Sequence, residues 1–459
     1  MTRSDISDTP RPGNFCIVPR AGGAAALLIA GEGGWALPET DGDEAADIRR
    51  ELGARFGVDV TLLGTVYGRY TDDEHEEAHQ VFALERLGTA EALPDGANWV
   101  GSDELAALPL AVPEHRPVIA RWMRETATGV YPPSRMPWAR PGWLPGVTAW
   151  VDGELARLGR ERVGMPEQVR VRHWACVLRV PTSGGDSYFK ATSPAFACEP
   201  LVTRVLMGVV PSVVPRLLAT DTGRGWMLMA DGGAPLRGRV LPGRHLEPLL
   251  DMLPRFAAFQ LALVPHTAVL LAAGCPDRRL ARLPDLVADL LNDTALLLVG
   301  HPDGMTAAEH ANLRAALPEM RDLCARLADA GVPESLHHDD FHPGNVLVDA
   351  RGNYAFFDWG ECAITHPFLS LGMALRWARL VLECDDEPLD RLRRAYLAPW
   401  TAYAPMDRLL EASSVAERLM PLARALTWAD CIRGLEPDAR WECEDSSAYF
   451  LRVFLGTAA

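Results

Sequence analysis

Residues 336–348 read Leu336-His-His-Asp-Asp-Phe-His-Pro-Gly-Asn-Val-Leu-Val348, so one short loop carries three histidines, two aspartates and an asparagine before an apolar strand begins. Ionisable side chains are rarely gathered this densely for packing alone, because each must be hydrated or paired. A second segment, Asn353-Tyr-Ala-Phe-Phe-Asp-Trp-Gly-Glu361, places Asp358 at the end of another apolar strand. The turn between the strands, residues 349–353, predicts a β-hairpin.

The predicted hairpin brings Asn345, at its entrance, close to Asp358, at its exit. An amide oxygen and a carboxylate suit Mg²⁺, which takes one or two protein oxygens and completes its shell with water and phosphate. Asp340 precedes Asn345 in the same loop and is placed to accept a proton from an attacking hydroxyl. These residues predict a magnesium-dependent site for phosphoryl transfer.

The chain contains 44 arginines and a single lysine, Lys190. A codon bias towards arginine explains the shortage of lysine, but it does not explain the one exception. Lysine is a compact, strongly hydrated point charge that suits phosphate oxygens in a confined site. Lys190 lies in the apolar-flanked stretch 186–191, which is typical of a strand, and we expect it to bind phosphate.

Two motifs resemble those of the aminoglycoside phosphotransferase and choline kinase-like enzymes. His338-Asp-Asp-Phe-His-Pro-Gly-Asn345 is similar to their catalytic loop, usually His-Gly-Asp-Leu-His-Pro-Gly-Asn. Phe357-Asp-Trp-Gly-Glu361, followed by His366 and Pro367, is similar to their metal-binding segment. The resemblance implies a protein kinase-like fold with ATP and Mg²⁺ as cofactors.

Residue by residue, the resemblance implies a role for each key side chain. Asp340 matches the catalytic base, and Asn345 and Asp358 match the Mg²⁺ ligands. Lys190 matches the lysine that holds the α- and β-phosphates, and Glu199 matches the helix glutamate that pairs with it. These residues occur in the order that a kinase-like fold requires.

Two further segments match the family less closely, and both are expected to lie against the nucleotide. The turn 181–186, with Ser183 and Gly184, corresponds to the turn that covers the phosphates, although a glycine pair between strands is also typical of a plain hairpin. Ala230 and Asp231 begin the connector between lobes, against which adenine is expected to lie.

Further residues are expected to support the loop or to contact the acceptor. His338 and His342 are interpreted as supporting residues that hold the loop through backbone groups. The candidate acceptor contacts are Asp339, Glu361, Asp430 and Trp441.

Two departures from the family pattern lead to expectations of their own. Asp339 stands where glycine is usual, and its charge could disturb the pKa of Asp340 or bind a cationic substrate. The aspartate that steadies the catalytic loop is replaced by Ser370, so a different group is expected to anchor that loop.

The N-terminal part resembles a Nudix domain. Gly33-Gly-Trp-Ala-Leu-Pro38 matches the first part of its fingerprint, and Arg50-Glu-Leu-Gly-Ala-Arg-Phe-Gly-Val58 resembles the second. Ala54 and Arg55 replace the two glutamates that would hold Mg²⁺ for diphosphate hydrolysis. We interpret this part as a degenerate Nudix-like domain that binds, docks or stabilises. A plain α/β domain unrelated to that family is the alternative.

The predicted fold class is α+β: a two-lobed protein kinase-like phosphotransferase domain preceded by a smaller α/β Nudix-like domain. Prolines between residues 129 and 145 interrupt regular structure and predict a linker. The Nudix-like domain is then 1–128 and the phosphotransferase domain 146–459. The latter has a small lobe over about 146–230 and a large helical lobe over about 231–459.

The composition limits the kinds of partner that the protein is expected to bind. A net charge of −16 argues against nucleic acid. No apolar run approaches the length of a membrane helix, and the first eight residues lack an apolar signal core. Nine cysteines without a Cys-x-x-Cys pair indicate reduced thiols and no zinc site. We therefore expect a cytoplasmic protein with a small-molecule partner, neither nucleic acid nor membrane; the oligomeric state is open.

Together these patterns predict a small-molecule kinase, which moves the γ-phosphate of ATP to a hydroxyl of an antibiotic, sugar, amino alcohol or nucleoside. One alternative is a nucleotide-binding pseudokinase with a regulatory role, against which the intact aspartates count. The other is a Nudix-type hydrolase with a kinase-like appendage, against which Ala54 and Arg55 count.

Overall fold

The computed structural model describes residues 11–20, 22–71, 77–88, 92–301 and 304–458. The chain divides into two compact units. The N-terminal unit is Met1–Ser193 with Gly434–Glu442, and the C-terminal unit is Pro194–Arg433 with Cys443–Ala459. The first eight residues, on which the expectation about a signal sequence rests, lie outside the described residues. The predicted domain boundaries remain a prediction.

The N-terminal unit mixes helices with three groups of strands. Its elements are β1 (Gly13–Ile17), β2 (Ala25–Gly31), β3 (Gly34–Ala36), β4 (Glu39–Thr40), α1 (Ala45–Phe56), β5 (Val60–Tyr70), β6 (Ala78–Arg86), β7 (Ala97–Gly101), α2 (Ser102–Ala107), α3 (His115–Thr128), α4 (Trp143–Arg157), β8 (Glu167–Val171), β9 (Ala175–Val180) and β10 (Ser187–Thr192). The strand orders are β4-β1-β6-β5, in which β1 and β6 are parallel, and β3-β2-β7. Strands β8, β9 and β10 pair antiparallel in chain order.

The core of this unit lies between β1, β6 and α3. Phe15, Ile17 and Val81 pack with Ile119 and Trp122, each at most 3% exposed. The strands form because buried and outward positions alternate, and the helix forms because its apolar residues recur at helical spacing. An α/β architecture was expected here, and the structure has it. The Nudix-like relationship remains a prediction.

Side chains of α1 tie the helix to the turn after β4. Arg55 donates to the Glu39 carbonyl at 2.5 Å, and Glu51 accepts from the Asp41 N–H at 2.8 Å. Helix α1 ends at Gly57, whose φ of 66° is the left-handed conformation that favours glycine. Arg55, at the position of a missing Nudix glutamate, therefore has a structural contact.

Two buried histidines, His79 of β6 and His115 of α3, meet through their Nε2 atoms at 2.9 Å. His79 Nδ1 lies 2.9 Å from the Arg11 carbonyl, which can only accept, so His79 Nε2 accepts from His115. Burial lowers the pKa of His115 to about 3 and also lowers the pKa of His79. The charged groups that act on His79 are Arg11, Arg69 and Glu114. Both rings are therefore neutral in the folded protein near neutral pH.

Acidification should destabilise the protein through this pair. A histidine has a pKa of about 6.5 when unfolded, so the contribution of the pair is complete above about pH 6.5 and declines towards about pH 3. His115 contributes a slope of at most about 1.4 kcal/mol per pH unit. Urea unfolding of the full chain at several pH values measures this slope. His115→Asn should reduce it, whereas the same change at the exposed His245 should not; identical slopes in the two variants would contradict the assignment.

The C-terminal unit is mostly helical. Its elements are α5 (Glu199–Val209), β11 (Leu217–Asp221), β12 (Trp226–Ala230), β13 (Ala234–Pro235), α6 (Arg237–Val240), α7 (Glu247–Leu263), α8 (Thr267–Ala272), α9 (Leu283–Leu290), α10 (Ala307–Ala315), α11 (Leu317–Ala328), β14 (Ser335–His338), β15 (Val346–Val348), β16 (Tyr354–Phe356), β17 (Cys362–Thr365), α12 (Phe368–Val381), α13 (Asp386–Leu397), α14 (Met406–Gly434) and α15 (Ser446–Leu455). Strands β15 and β16 form the expected hairpin, with Val346 opposite Phe356. Strand β13 pairs with β15, and β14 pairs antiparallel with β17. The α+β fold class is confirmed.

Helix α7 packs against β14 and the loop that follows it. Phe256 stacks on Phe341 of the loop with ring centroids 3.7 Å apart, and Gln260 donates to the Leu336 carbonyl at 2.8 Å. The stretch Glu247–Ala272 is also long and apolar enough to cross a membrane, by length and composition alone. A core helix passes the same test, and Phe256 and Gln260 of α7 are buried.

Candidate active site

The β15–β16 hairpin joins the two residues expected to bind metal. Asn345 immediately precedes β15, and its carbonyl accepts from the Phe357 N–H at 3.2 Å, which brings Asp358 to the same end of the hairpin. Asp358 has φ 67° and ψ 57°, a left-handed conformation. Such strain in a residue other than glycine costs on the order of 1 kcal/mol or more and clusters at functional sites.

Asp340 is held by three neighbouring side chains. Asn345 Nδ2 donates to the Asp340 carboxylate at 3.0 Å and to its carbonyl at 2.8 Å. His342 Nε2 lies 3.3 Å from Oδ2, and Arg424 lies 3.5 Å from Oδ1. Burial alone would raise the pKa of Asp340, but the charge of Arg424 and the hydrogen bond from His342 lower it well below its usual range. The carboxylate is therefore ionised, oriented and, at 32% exposure, accessible to an acceptor.

His342 orients Asp340. Its Nδ1 accepts from the Gly344 N–H at 2.9 Å, so the ring proton is on Nε2, which faces the Asp340 carboxylate. The ring also stacks on Trp377 at 6.3 Å between centroids. The supporting role expected for His342 agrees with these contacts, although its main partner is a carboxylate and not a carbonyl.

His338 connects the catalytic loop to the metal-binding segment. Its Nε2 lies 2.9 Å from the Phe357 carbonyl, and its Nδ1 accepts from the Asp340 N–H at 3.3 Å. Burial lowers the pKa of His338 to about 4, so the ring is neutral. A neutral ring with one donor and one acceptor satisfies both contacts at once.

Asp339 cannot contact a substrate, contrary to the expectation from sequence. Its side chain is 0% exposed, accepts from His337 at 2.8 Å and from Thr427, and lies 3.9 Å from Arg278 and 3.8 Å from Arg424. Burial would raise the pKa of Asp339, but the hydrogen bond from His337 and these charges lower it to about 2. Asp339 is a buried anion that holds the loop.

Ser370 itself takes part in anchoring the loop, together with the buried Asp339, where a different group from the family's aspartate was expected. Its Oγ accepts from the His338 N–H at 3.0 Å and lies 2.9 Å from His337 Nδ1. Gln260 Nε2 donates to the same oxygen at 3.3 Å. The negative charge at this point belongs to Asp339, which lies on the other side of the His337 ring.

Arg424 of α14 is the functional candidate that the sequence reading missed. The side chain is 7% exposed and contacts Glu361, Asp340 and Asp339. Its only sequence signal is one charge in the apolar run Met420-Pro-Leu-Ala-Arg-Ala-Leu426. A buried arginine in such a run requires a carboxylate partner, but the sequence does not identify that partner.

Glu361 and Asp430 are both engaged by arginines. Glu361 pairs with Arg424; burial and the neighbouring carboxylates raise the pKa of Glu361 to about 7, although Arg424 opposes the rise. Asp430 accepts from Arg278 at 3.0 Å and from Arg433 at 3.4 Å, and about half of its side chain is exposed. Acceptor contacts through these two residues remain a prediction.

Lys190 and Glu199 lie in different units. Lys190 is on β10 and is 7% exposed. Glu199 is the first residue of α5, 1% exposed, and its Oε1 accepts from the Trp359 N–H at 3.1 Å. Glu199 thus fixes the backbone next to Asp358. The pairing of Lys190 with Glu199 remains a prediction.

The turn between β9 and β10 is tied to the loop after α4. Ser183 Oγ accepts from the Glu161 N–H at 3.1 Å, and the Gly184 N–H donates to Thr182 at 3.2 Å. These contacts are typical of a tight hairpin. Phosphate binding by Ser183 and Gly184 remains a prediction.

The connector after β12 makes a compact turn. Ala230 ends the strand, and Asp231 accepts from the Gly233 N–H at 2.9 Å. Gly233 has φ 101°, and a Cβ there would collide with the Val348 carbonyl, so the connector approaches the catalytic hairpin through a glycine. Trp441 belongs to the N-terminal unit, where it packs edge-on against Tyr70 at 5.2 Å. Its contact with an acceptor is a prediction that these neighbours do not support.

The model of the phosphotransferase enzyme family matches residues 167–409, and the chain belongs to this family.

Several solved structures are similar to this chain, and we cite three. A choline/ethanolamine kinase family protein from Mesorhizobium loti is 18% identical over 66% of this chain and 94% of its own, with a TM-score of 0.43. The choline kinase LicA from Streptococcus pneumoniae is 13% identical over 67% and 99%, with a TM-score of 0.44. A macrolide 2′-phosphotransferase from Brachybacterium faecium is 16% identical over 65% and 97%, with a TM-score of 0.42. A search of curated proteins found no match.

Proposed function

We propose that this protein is an ATP- and Mg²⁺-dependent kinase that phosphorylates a hydroxyl group of a small molecule. The observation that carries the proposal is the Asp340 carboxylate, ionised and partly exposed, fixed by Asn345 beside the hairpin end that holds Asp358. Phosphoryl transfer needs mainly positioning and charge stabilisation, and this arrangement is suited to both.

The donor atoms fit a magnesium ion. Asn345 uses its nitrogen to bind Asp340, which leaves its amide oxygen as the atom for a cation, with the Asp358 carboxylate as the second ligand. Two protein oxygens are what Mg²⁺ usually takes when phosphates and water complete its shell. Among the described residues no cluster of three or more histidine, cysteine or acidic side chains forms a metal site. When bound, Mg²⁺ would neutralise charge on the phosphates.

The residues of the chain are proposed to position the substrates and to accept the proton. Asp340 orients the acceptor hydroxyl and accepts its proton as the bond to phosphorus forms. His342 and Asn345 fix that carboxylate, so little reorganisation accompanies the transfer. Lys190 is proposed to hold the α- and β-phosphates, and the segment after β12 is proposed to bind adenine.

Replacement of Asp358 by alanine should abolish the tightening of ATP binding by Mg²⁺. The carboxylate supplies the only charge among the two proposed ligands, and an amide alone binds Mg²⁺ poorly. Titration calorimetry with ATP, with and without Mg²⁺, measures this linkage. Asp349→Asn is the matched control, because Asp349 lies at the opposite end of the hairpin, where it accepts from Asn353. Unchanged linkage in Asp358→Ala would mean that the metal site is misassigned.

An acceptor screen tests the function itself. ATP consumption is measured over antibiotics, sugars, amino alcohols and nucleosides, and any product is identified by mass spectrometry. A phosphorylated acceptor supports the proposal. ATP binding without turnover on any acceptor favours the nucleotide-binding pseudokinase, and diphosphate hydrolysis by the N-terminal unit favours the Nudix-type hydrolase.

A further inference from the structure

A partly buried guanidinium group with aromatic partners lies in the C-terminal unit. It belongs to Arg376 of α12, whose Nη2 donates to the Tyr449 hydroxyl at 2.6 Å. Its Cζ lies 5.7 Å from the ring centroid of Tyr449 and 5.6 Å from that of Phe450. Among the described residues, no carboxylate oxygen lies within 4.0 Å of the nitrogens of this guanidinium. The proposed phosphoryl transfer has not yet given Arg376 a role.

Arg376 is connected to Asp340 through the ring of Phe450. The Cζ of Arg424 lies 5.9 Å from the centroid of this ring, so two guanidinium groups share it. Arg424 in turn lies 3.5 Å from Asp340 Oδ1. A second connection runs through Trp377, the next residue of α12, which stacks on the histidine that contacts the Asp340 carboxylate. An acceptor whose hydroxyl meets Asp340 therefore needs to extend only past one aromatic ring to reach Arg376.

The other acidic side chains near the proposed base already have cationic partners. Glu361 contacts Arg424. Arg278 lies 3.0 Å from Asp430 and 3.9 Å from Asp339. These carboxylates attract a cationic acceptor only weakly, because the charge of each is balanced locally. The charge that remains for recognition of the acceptor is the guanidinium on α12, which attracts an anion.

The geometry of Arg376 suits a carboxylate or a phosphate. A guanidinium has five N–H donors in one plane, and the Tyr449 hydroxyl accepts from one of them. Contact with two aromatic rings restricts this plane, so little conformational freedom is lost when an anion binds. Arginine can then donate two parallel hydrogen bonds to one anionic group, which lysine cannot do.

We propose that the acceptor carries a carboxylate or phosphate group, which Arg376 binds while the acceptor hydroxyl meets Asp340. This inference rests on the proposed function and narrows it. Hydroxy acids, sugar acids and sugar phosphates fit the site, whereas amino alcohols do not. Tyr449 is a positioning residue, because it acts on the acceptor only through Arg376.

Matched pairs of acceptors test the preference for an anion. ATP consumption is measured with gluconate and glucose, and with glycerate, glycerol 3-phosphate and glycerol; ethanolamine represents the cations. The anionic acceptor should have a kcat/KM at least about tenfold above that of its neutral counterpart, the usual scale for a hydrogen bond to a charged group. The preferred member of the glycerate and glycerol 3-phosphate pair distinguishes a carboxylate from a phosphate. If the best acceptor of this panel and of the wider screen is neutral or cationic, the proposal is wrong.

Arg376→Met should raise KM for the anionic acceptor by at least about tenfold and change kcat little, because the residues around Asp340 stay in place. Arg376→Lys keeps the charge without the planar fork and should recover only part of the loss. Arg379→Met is the matched control on the same helix, since Arg379 is 59% exposed and pairs with Asp386 at 3.6 Å. Equal KM values in Arg376→Met and Arg379→Met, with both folded by circular dichroism, would exclude Arg376 from acceptor binding.

Binding measured without turnover separates this inference from the proposed function. Titration calorimetry is carried out on the full chain with the same carboxylates, phosphate ester and neutral counterparts. If no acceptor is phosphorylated but an anion binds the wild type and not Arg376→Met, the proposed function fails and the anion site stands. If no anion binds the wild type more tightly than its neutral counterpart, the anion site is refuted whatever the activity.

Discussion

Replacement of Asp340 by asparagine should lower turnover by about 100-fold or more, the usual span for loss of a general base. Asparagine keeps the size of the side chain and one oxygen, so the contact with Asn345 Nδ2 can persist. It removes the negative charge and the capacity to accept the proton of the acceptor. Binding of ATP with Mg²⁺ should change little, because the proposed ligands Asn345 and Asp358 remain.

Steady-state kinetics with the acceptor found by screening, together with titration calorimetry for ATP, measure both quantities. Asp349→Asn makes the same chemical change at the opposite end of the hairpin and should retain full turnover. If Asp340→Asn keeps more than about a tenth of wild-type turnover, Asp340 is not the base, since loss of a general base costs about 100-fold or more.

Replacement of Arg424 by methionine should lower the free energy of unfolding by about 3–5 kcal/mol, the cost of removing one partner from a buried ion pair. Methionine matches much of the volume of the arginine stem, so lost packing contributes little. Asp339 is fully buried and keeps Arg278 at 3.9 Å and His337 at 2.8 Å, whereas Glu361, which is largely buried, loses the guanidinium with which it pairs. Urea unfolding monitored by circular dichroism measures the change.

Arg418→Met provides the matched control on the same helix. Arg418 pairs with Glu319, but about half of each side chain is exposed, and exposed pairs contribute only about 0–1 kcal/mol. If the two variants are equally stable, Arg424 does not compensate buried carboxylates. If Arg424→Met remains folded, its turnover should also fall, because the low pKa of Asp340 depends on this guanidinium.

Local signals sufficed for much of the candidate site. The turn 349–353 between two short apolar strands predicted a hairpin, and the structure has that hairpin. In contrast, Asp339 was misinterpreted as a substrate contact, because its partners Thr427 and Arg278 lie far from it in the chain.

The amino-acid sequence by itself predicted the loop proposed as catalytic and the order of the proposed phosphotransfer residues, and it determines the family. These features depend on contiguous motifs, which can be recognised in the sequence without knowledge of the fold. Only the tertiary structure decided which charges are buried together. Ser370 binds the backbone of the loop and Arg424 contacts three carboxylates, because packing brings side chains from distant helices into one low-dielectric region, where their interactions become strong.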